Sequence, residues 1–77
     1  MQFSTSLGSR IPVRSSNLHS VCYHPFSGRL EIQFQNGRLY EYFNVLAGIS
    51  EGLMQASSHG KFFANFIRSA YGFRPLQ

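Results

Sequence analysis

The residues Arg29-Leu30-Glu31-Ile32-Gln33-Phe34-Gln35 alternate polar and apolar without a break and run straight into Asn36-Gly37. Strict alternation sends every second side chain to the same face of a strand. Leu30, Ile32 and Phe34 therefore need a covered surface, while Arg29, Glu31, Gln33 and Gln35 look the other way. Asn-Gly tolerates the left-handed backbone that a tight turn between antiparallel strands demands. The chain must double back, which makes Arg38 to Phe43 the returning strand and rules out an all-helical fold.

The flanking sequence extends this hairpin. Leu18 to His24 is rich in residues that favour a pleated surface, among them Val21, Cys22 and Tyr23. It is separated from the hairpin by the turn punctuation Pro25-Phe26-Ser27-Gly28. Downstream, Ile49, Leu53, Met54 and Ala56 recur at helical spacing, with Gly48 and Gly52 weakening the helix. After Ser57-Ser58-His59-Gly60, a second apolar stripe runs through Phe62, Phe63, Phe66, Ile67 and Ala70. Gly72 and Pro75 stop it. The reading is an α+β fold: a three-stranded antiparallel sheet (about 18–24, 29–35 and 38–43) and two helices (about 47–56 and 61–70) on one face. Residues 1–10 read as a flexible arm and 11–77 as one domain. A chain of 77 residues buries only about 60% of its unfolded surface, which favours assembly into a homo-oligomer.

One ambiguity at the turn decides where the tyrosines go. In a two-residue loop Gln35 faces Arg38, and Tyr40 and Tyr42 share the face of Arg29, Glu31 and Gln33. In a three-residue loop with a glycine bulge Phe34 faces Arg38, and both tyrosines join Leu30, Ile32 and Phe34. A one-residue slip moves the whole set. The two-residue register also sets Glu41 beside Ile32, a costly burial, which weighs toward the bulge.

Seven basic residues face three acidic ones, for a net charge of +4. Six of the seven are arginines, which fork onto phosphates and stack on bases. An anionic partner follows from this, although mild basicity also serves solubility alone. Cys22, the single cysteine, permits no internal disulfide and reads as a buried, inert thiol. One cysteine and three scattered histidines fit no structural zinc pattern. His19 and His24 fall on opposite faces of a regular strand. With no aspartate and three glutamates, paired-carboxylate and two-metal catalysis are disfavoured. A metal-free nuclease using His and Arg is the enzymatic option left, and neither a metal nor a cofactor is expected. No apolar run approaches the roughly 20 residues of a membrane span, and the N-terminus lacks a secretory pattern. The expected compartment is the cytosol.

Three groups of residues carry candidate binding chemistry. Tyr40, Tyr42 and Tyr23 could stack on bases or simply pack as core rings. Ser58, Gly60 and Lys61 open a helix whose first N–H groups could hold a phosphate, or Ser58 could be a plain cap. Arg38 and Arg68, with Lys61 two turns before Arg68, could embrace an anion or pair with Glu41 or Glu51. On this reading Tyr42→Ala weakens binding and spares the fold.

Taken in order, Ser15-Ser16-Asn17-Leu18, Ser20, Tyr23, Leu30-x-Ile32-x-Phe34, Asn36-Gly37, Tyr40-Glu41-Tyr42-Phe43 and Val45 resemble the KTSC family. So do Ser58-His59-Gly60, Phe63, Ile67-Arg68 and Tyr71. The resemblance covers about residues 11–73, and Tyr40-x-Tyr42 matches the family's signature. Leu46 stands where a proline is common and Ala64 where an asparagine is expected. That family is named for a C-terminal appendage of some lysyl-tRNA synthetases and includes free-standing bacterial and phage proteins. The resemblance implies a small non-catalytic module binding RNA, another single-stranded nucleic acid or a nucleotide. Two alternatives are a sponge that sequesters a nucleotide signal between subunits, and a protein-interaction module using Phe62, Phe66 and Phe73.

Overall fold

The computed structural model describes residues 11–13 and 17–76, so the arm read over 1–10 lies outside the described residues. The strands β1 (Ile11–Pro12), β2 (Leu18–His24), β3 (Arg29–Phe34) and β4 (Leu39–Tyr42) lead into α1 (Ala47–Gln55) and α2 (His59–Phe66). A last strand, β5 (Phe73–Pro75), returns beside β4, giving an antiparallel sheet in the order β1-β2-β3-β4-β5. The three strands expected are the centre of a wider sheet, with β5 as a fourth full strand and the two-residue β1 at the opposite edge. Phe73-Arg74-Pro75 has no strand signal of its own, flanked as it is by glycine and carrying a proline. It becomes a strand because β4 offers a free edge: Tyr42 pairs with Phe73, Glu41 with Arg74 and Tyr40 with Pro75. Phe43 N–H donates to the Gly72 carbonyl at 2.9 Å and Leu76 N–H to that of Leu39 at 2.7 Å, fastening both ends. Both outer strands contain a proline (Pro12, Pro75), the residue that sheets confine to edges because it cannot donate to a ladder.

The hairpin takes the bulged register. Phe34 N–H donates to the Arg38 carbonyl at 2.8 Å, and Gly37 N–H returns to the Phe34 carbonyl at 2.9 Å. Gly37 sits at φ 88°, the left-handed region that glycine enters freely. Ile32 then lies opposite Tyr40 and Leu30 opposite Tyr42. A second irregularity lies in β2, where Leu18 pairs with Phe34 but Ser20 pairs with Gln33. The extra residue lets Leu18, Val21 and Tyr23 all reach one face despite their mixed parity. It also breaks the alternation that placed His19 and His24 on opposite faces.

That face is the core. Leu18, Val21, Tyr23, Leu30, Ile32 and Tyr42 meet Val45, Leu53, Phe63 and Ile67 in one cluster. Helix α1 begins without a side-chain cap, and the buried Ser50 bonds back to the Ala47 carbonyl at 2.8 Å. Gly52 has a packing role: a Cβ there would lie 2.7 Å from the Phe62 ring tip. Helix α2 starts at His59 and ends at Phe66, earlier at both ends than the 61–70 expected. Ser58 caps it, accepting the Lys61 N–H at 3.3 Å. Beyond Phe66 the chain tightens into turns, with Arg68 N–H on the Phe63 carbonyl. The His59 Nδ1 lies 2.7 Å from the Leu53 carbonyl oxygen, joining the two helices.

Candidate functional site

Helix α2 leaves the inner face of the sheet partly open toward the hairpin turn and β5. There the structure holds two adjoining hollows, of about 430 and about 320 Å³. The larger is lined by Asn17, Gln35, Asn36, Gly60, Ala64 and Arg68, the smaller by Arg38, Tyr40, Tyr42 and Phe73. Phe34, Asn36, Phe63 and Arg68 line both, so the two form one cleft with an amide-rich half and an aromatic half.

The aromatic half is a cluster of five rings. Phe34 stands edge-on to Tyr40 (centroids 5.7 Å apart) and to Phe63 (5.3 Å). Tyr42 meets Phe63 edge-on at 5.6 Å and lies tilted against Phe73 at 5.4 Å. Tyr40 and Phe73 lie 5.6 Å apart. Such geometries let each ring hold its neighbours in place. Tyr40 is half-buried and Phe73 half-exposed, so both present surface to an incoming ligand, whereas Tyr42 is only 3% exposed.

Tyr42 carries a second peculiarity. Its hydroxyl has no hydrogen-bond partner among the described residues, although the side chain is buried and lines the cleft. A buried, unpaired hydroxyl costs free energy and calls for an explanation. Burial, followed by the neighbouring Tyr40, pushes its phenol up to about 12, against a smaller pull downward from Arg68. The neutral form is thus favoured by the fold. Stability from this group is complete below the ordinary phenol value near 10 and is lost as pH rises from there toward 12. Alkaline titration followed by phenolate absorbance is expected to show a late component that Tyr42→Phe removes. A titration complete by pH 11 or so would contradict the burial.

Of the cations, Arg38 and Arg68 line the cleft, while Lys61 is exposed on α2 and does not. None of the three forms an ion pair with a described residue. Of the two acids offered as alternative partners, Glu41 and Glu51, Glu41 is engaged elsewhere. It is 1% exposed on the opposite face of the sheet, where Arg29 Nη1 bonds one carboxylate oxygen and Arg74 Nε the other at 2.9 Å. Glu31, directly across from it on β3, lies 2.9 Å from His24 Nε2. The outer face thus uses two of the three glutamates, and among the described residues the cleft arginines keep no acid partner.

The remaining expected site residues fall out differently. Gly60 lines the amide-rich half. Ser58 is the helix cap, its hydroxyl oxygen already accepting a backbone N–H, and it does not line the cleft. Tyr23 is core, 3% exposed, its hydroxyl donating to the Val45 carbonyl at 2.6 Å. Burial, then Tyr71, raises its phenol. Phe62, Phe66 and Phe73 do not make one stripe: Phe62 stacks on Phe66 at 4.7 Å, while Phe73 belongs to the tyrosine cluster. Ala64 lines the cleft, and the adjacent Asn65 does not take its place there. Phe34, Asn36 and Phe63 were not among the expected ligand-binding residues, and Phe73 was expected only in an interaction surface with Phe62 and Phe66. Asn36 had been read only as turn chemistry, and Phe73 lay in a segment with no periodicity. Cys22 is buried, as expected. Among the described residues no three His, Cys, Asp or Glu side chains gather to hold a metal, and no helix is long and apolar enough to cross a membrane.

An antiparallel meander packed on two short helices, with an aromatic cleft rimmed by two arginines that pair with no described acid, defines a small binding module. The chain belongs to the KTSC domain family, whose profile matches residues 14–71. It is similar to a crystal structure of a KTSC domain protein from Yersinia pestis, at 35% identity and a TM-score of 0.87, over 90% of this chain and 97% of that one. An uncharacterized protein of Stutzerimonas stutzeri is 37% identical over 54 residues, 70% of this chain and 76% of its own length. A lysine–tRNA ligase of a Nostoc species is 35% identical over 54 residues. That match spans 70% of this chain but only 10% of the ligase.

Proposed function

We propose that the cleft binds single-stranded nucleic acid, RNA in the first place. The observation that carries this is the buried hydroxyl of Tyr42, without a partner among the described residues, in a cleft whose rings are flanked by two arginines that pair with no described acid. Unstacked bases are recognised on exposed aromatic faces, and each such stack contributes about 1–3 kcal/mol. Tyr40 and Phe73 offer the faces. Arg38 and Arg68 supply the forked donors that suit a phosphate. The Tyr42 hydroxyl offers a hydrogen bond at the floor. The likeness to a segment of tRNA ligases supports the same reading by association.

Fluorescence anisotropy with a labelled single-stranded RNA at several salt concentrations tests it. Affinity is expected to fall with salt at a logarithmic slope of about 0.7 per phosphate contacted. Arg68→Ala should lower both the affinity and the slope, the latter by about 0.7. Salt-independent binding would point to an apolar partner. Binding of a free mononucleotide with no affinity for longer strands would point to a sponge.

A further inference from the structure

The junction between the two halves of the cleft is made of Phe34, Asn36, Phe63 and Arg68. Two of these are rings, so its polar side chains are Asn36 and Arg68. The Asn36 Oδ1 accepts the Arg38 N–H at 3.0 Å. This local bond fixes which end of the amide is oxygen, because a backbone N–H needs an acceptor. It occupies one of the two lone pairs on Oδ1 and leaves the Nδ2 amide with both of its N–H donors free of any described partner. Arg68 has donors only. Among the described residues the passage between the halves therefore presents mostly N–H groups, those of Asn36 Nδ2 and Arg68, against the one lone pair left on Asn36 Oδ1.

From this, and resting on the reading of the cleft as a site for single strands, we infer a preference for keto bases. A base edge placed at Asn36 and Arg68 is bonded most fully when it brings acceptors, because donors outnumber the single lone pair left there. Uracil and thymine present O4, and guanine presents O6 and N7. Cytosine and adenine place an exocyclic amino donor at the corresponding position, which would face the Asn36 amide donor to donor. Asn36 is exposed, so its donors keep water when unbonded, and the discrimination is that of a net hydrogen bond rather than of a buried unpaired group. Uracil and cytosine are the sharpest comparison, since they share ring size and stacking face and differ at that one edge.

Anisotropy titrations of the full chain with oligouridylate and oligocytidylate of equal length test the inference. Oligouridylate should bind about tenfold more tightly, the effect of one hydrogen bond gained and one clash avoided. Asn36→Asp provides the control within the protein. Its carboxylate can still accept the Arg38 N–H, so the turn survives, but the donors are gone. The preference should vanish or reverse toward cytidylate, whose amino group a carboxylate can accept. Equal binding of the two oligomers by the natural protein, unchanged by Asn36→Asp, would overturn the keto preference while leaving nucleic-acid binding intact. Binding of neither oligomer would instead remove the underlying reading of the cleft.

Discussion

Tyr42→Ala is expected to lower stability by about 3–5 kcal/mol, the usual loss for a large aromatic removed from a core. A domain of 77 residues has roughly 4–12 kcal/mol in total, at about 0.05–0.15 per residue. The variant should therefore unfold at a much lower urea concentration or fail to fold at all. The sequence had cast Tyr42 as a ligand contact whose removal spares the fold. The structure corrects this: the ring is 3% exposed and wedged between Phe63 and Phe73. Two further substitutions separate packing from binding. Tyr42→Phe keeps the ring and drops a hydroxyl that has no described partner, so stability should hold or rise while RNA affinity falls. Tyr40→Ala removes a half-buried ring and should cost affinity about 5–150-fold, the equivalent of one lost base stack, with a smaller loss of stability. If Tyr42→Ala retains the natural urea midpoint, the ring is not a core element and the aromatic cleft is misplaced.

The second large effect is expected at Glu41. Removing both of its cations, as Arg29→Met with Arg74→Met, strands a carboxylate in the sheet. Breaking a buried pair from one side usually costs about 3–5 kcal/mol. The arginine side chains are 42% and 63% exposed, so water relieves part of this, and about 2–3 kcal/mol is expected. The pH dependence should change with it. In the natural protein burial pushes the Glu41 carboxyl up, but the hydrogen bonds from Arg74 and Arg29 and their charges more than offset this and hold it below the ordinary 4.5. A depressed carboxyl stabilises the fold above that value, and the contribution is lost as pH falls through the folded-state value. In the double variant only the burial remains, so the carboxyl should rise, and its contribution should instead fade as pH increases. Thermal unfolding between pH 3 and 7 checks this. Parallel profiles for the two proteins would show that the arginines do not set the state of Glu41.

The same residue shows how sequence and structure divided the problem. The cost of setting Glu41 beside Ile32 weighed toward the bulged register, and the bulge is what forms. Yet Glu41 is buried all the same, on the other face. Its cover comes from Arg29 one strand away and Arg74 on β5, 33 positions along the chain. Burial of Glu41 is thus not avoided by the register; it is met by pairing with the two arginines.

Much of the candidate site was legible for a local reason. Arg38, Tyr40 and Tyr42 lie on the strand leaving an Asn-Gly turn, and the period of two places alternate side chains together. Arg68 was singled out by its spacing from Lys61 on a helix expected over 61–70, but that helix ends at Phe66 and Arg68 reaches the cleft from the turn beyond it, without Lys61. What was not legible was which of these residues meet. Phe73 completes the aromatic wall only through its pairing with β4, and Phe34 is brought to the cleft by Phe63 across the sheet–helix layer. Asn36 acquires its polarity from a single hydrogen bond to Arg38.

By itself the sequence determined the hairpin, its turn, the two helices and the apolar face, since each rests on contacts within a few residues. Only the tertiary structure decided that β5 exists, that Tyr42 is core while Tyr40 is not, and that Glu41 is taken by Arg29 and Arg74. Those outcomes depend on groups far apart in the chain competing for the same partners. Once Glu41 is occupied on one face, Arg38 and Arg68 have no acid partner among the described residues on the other.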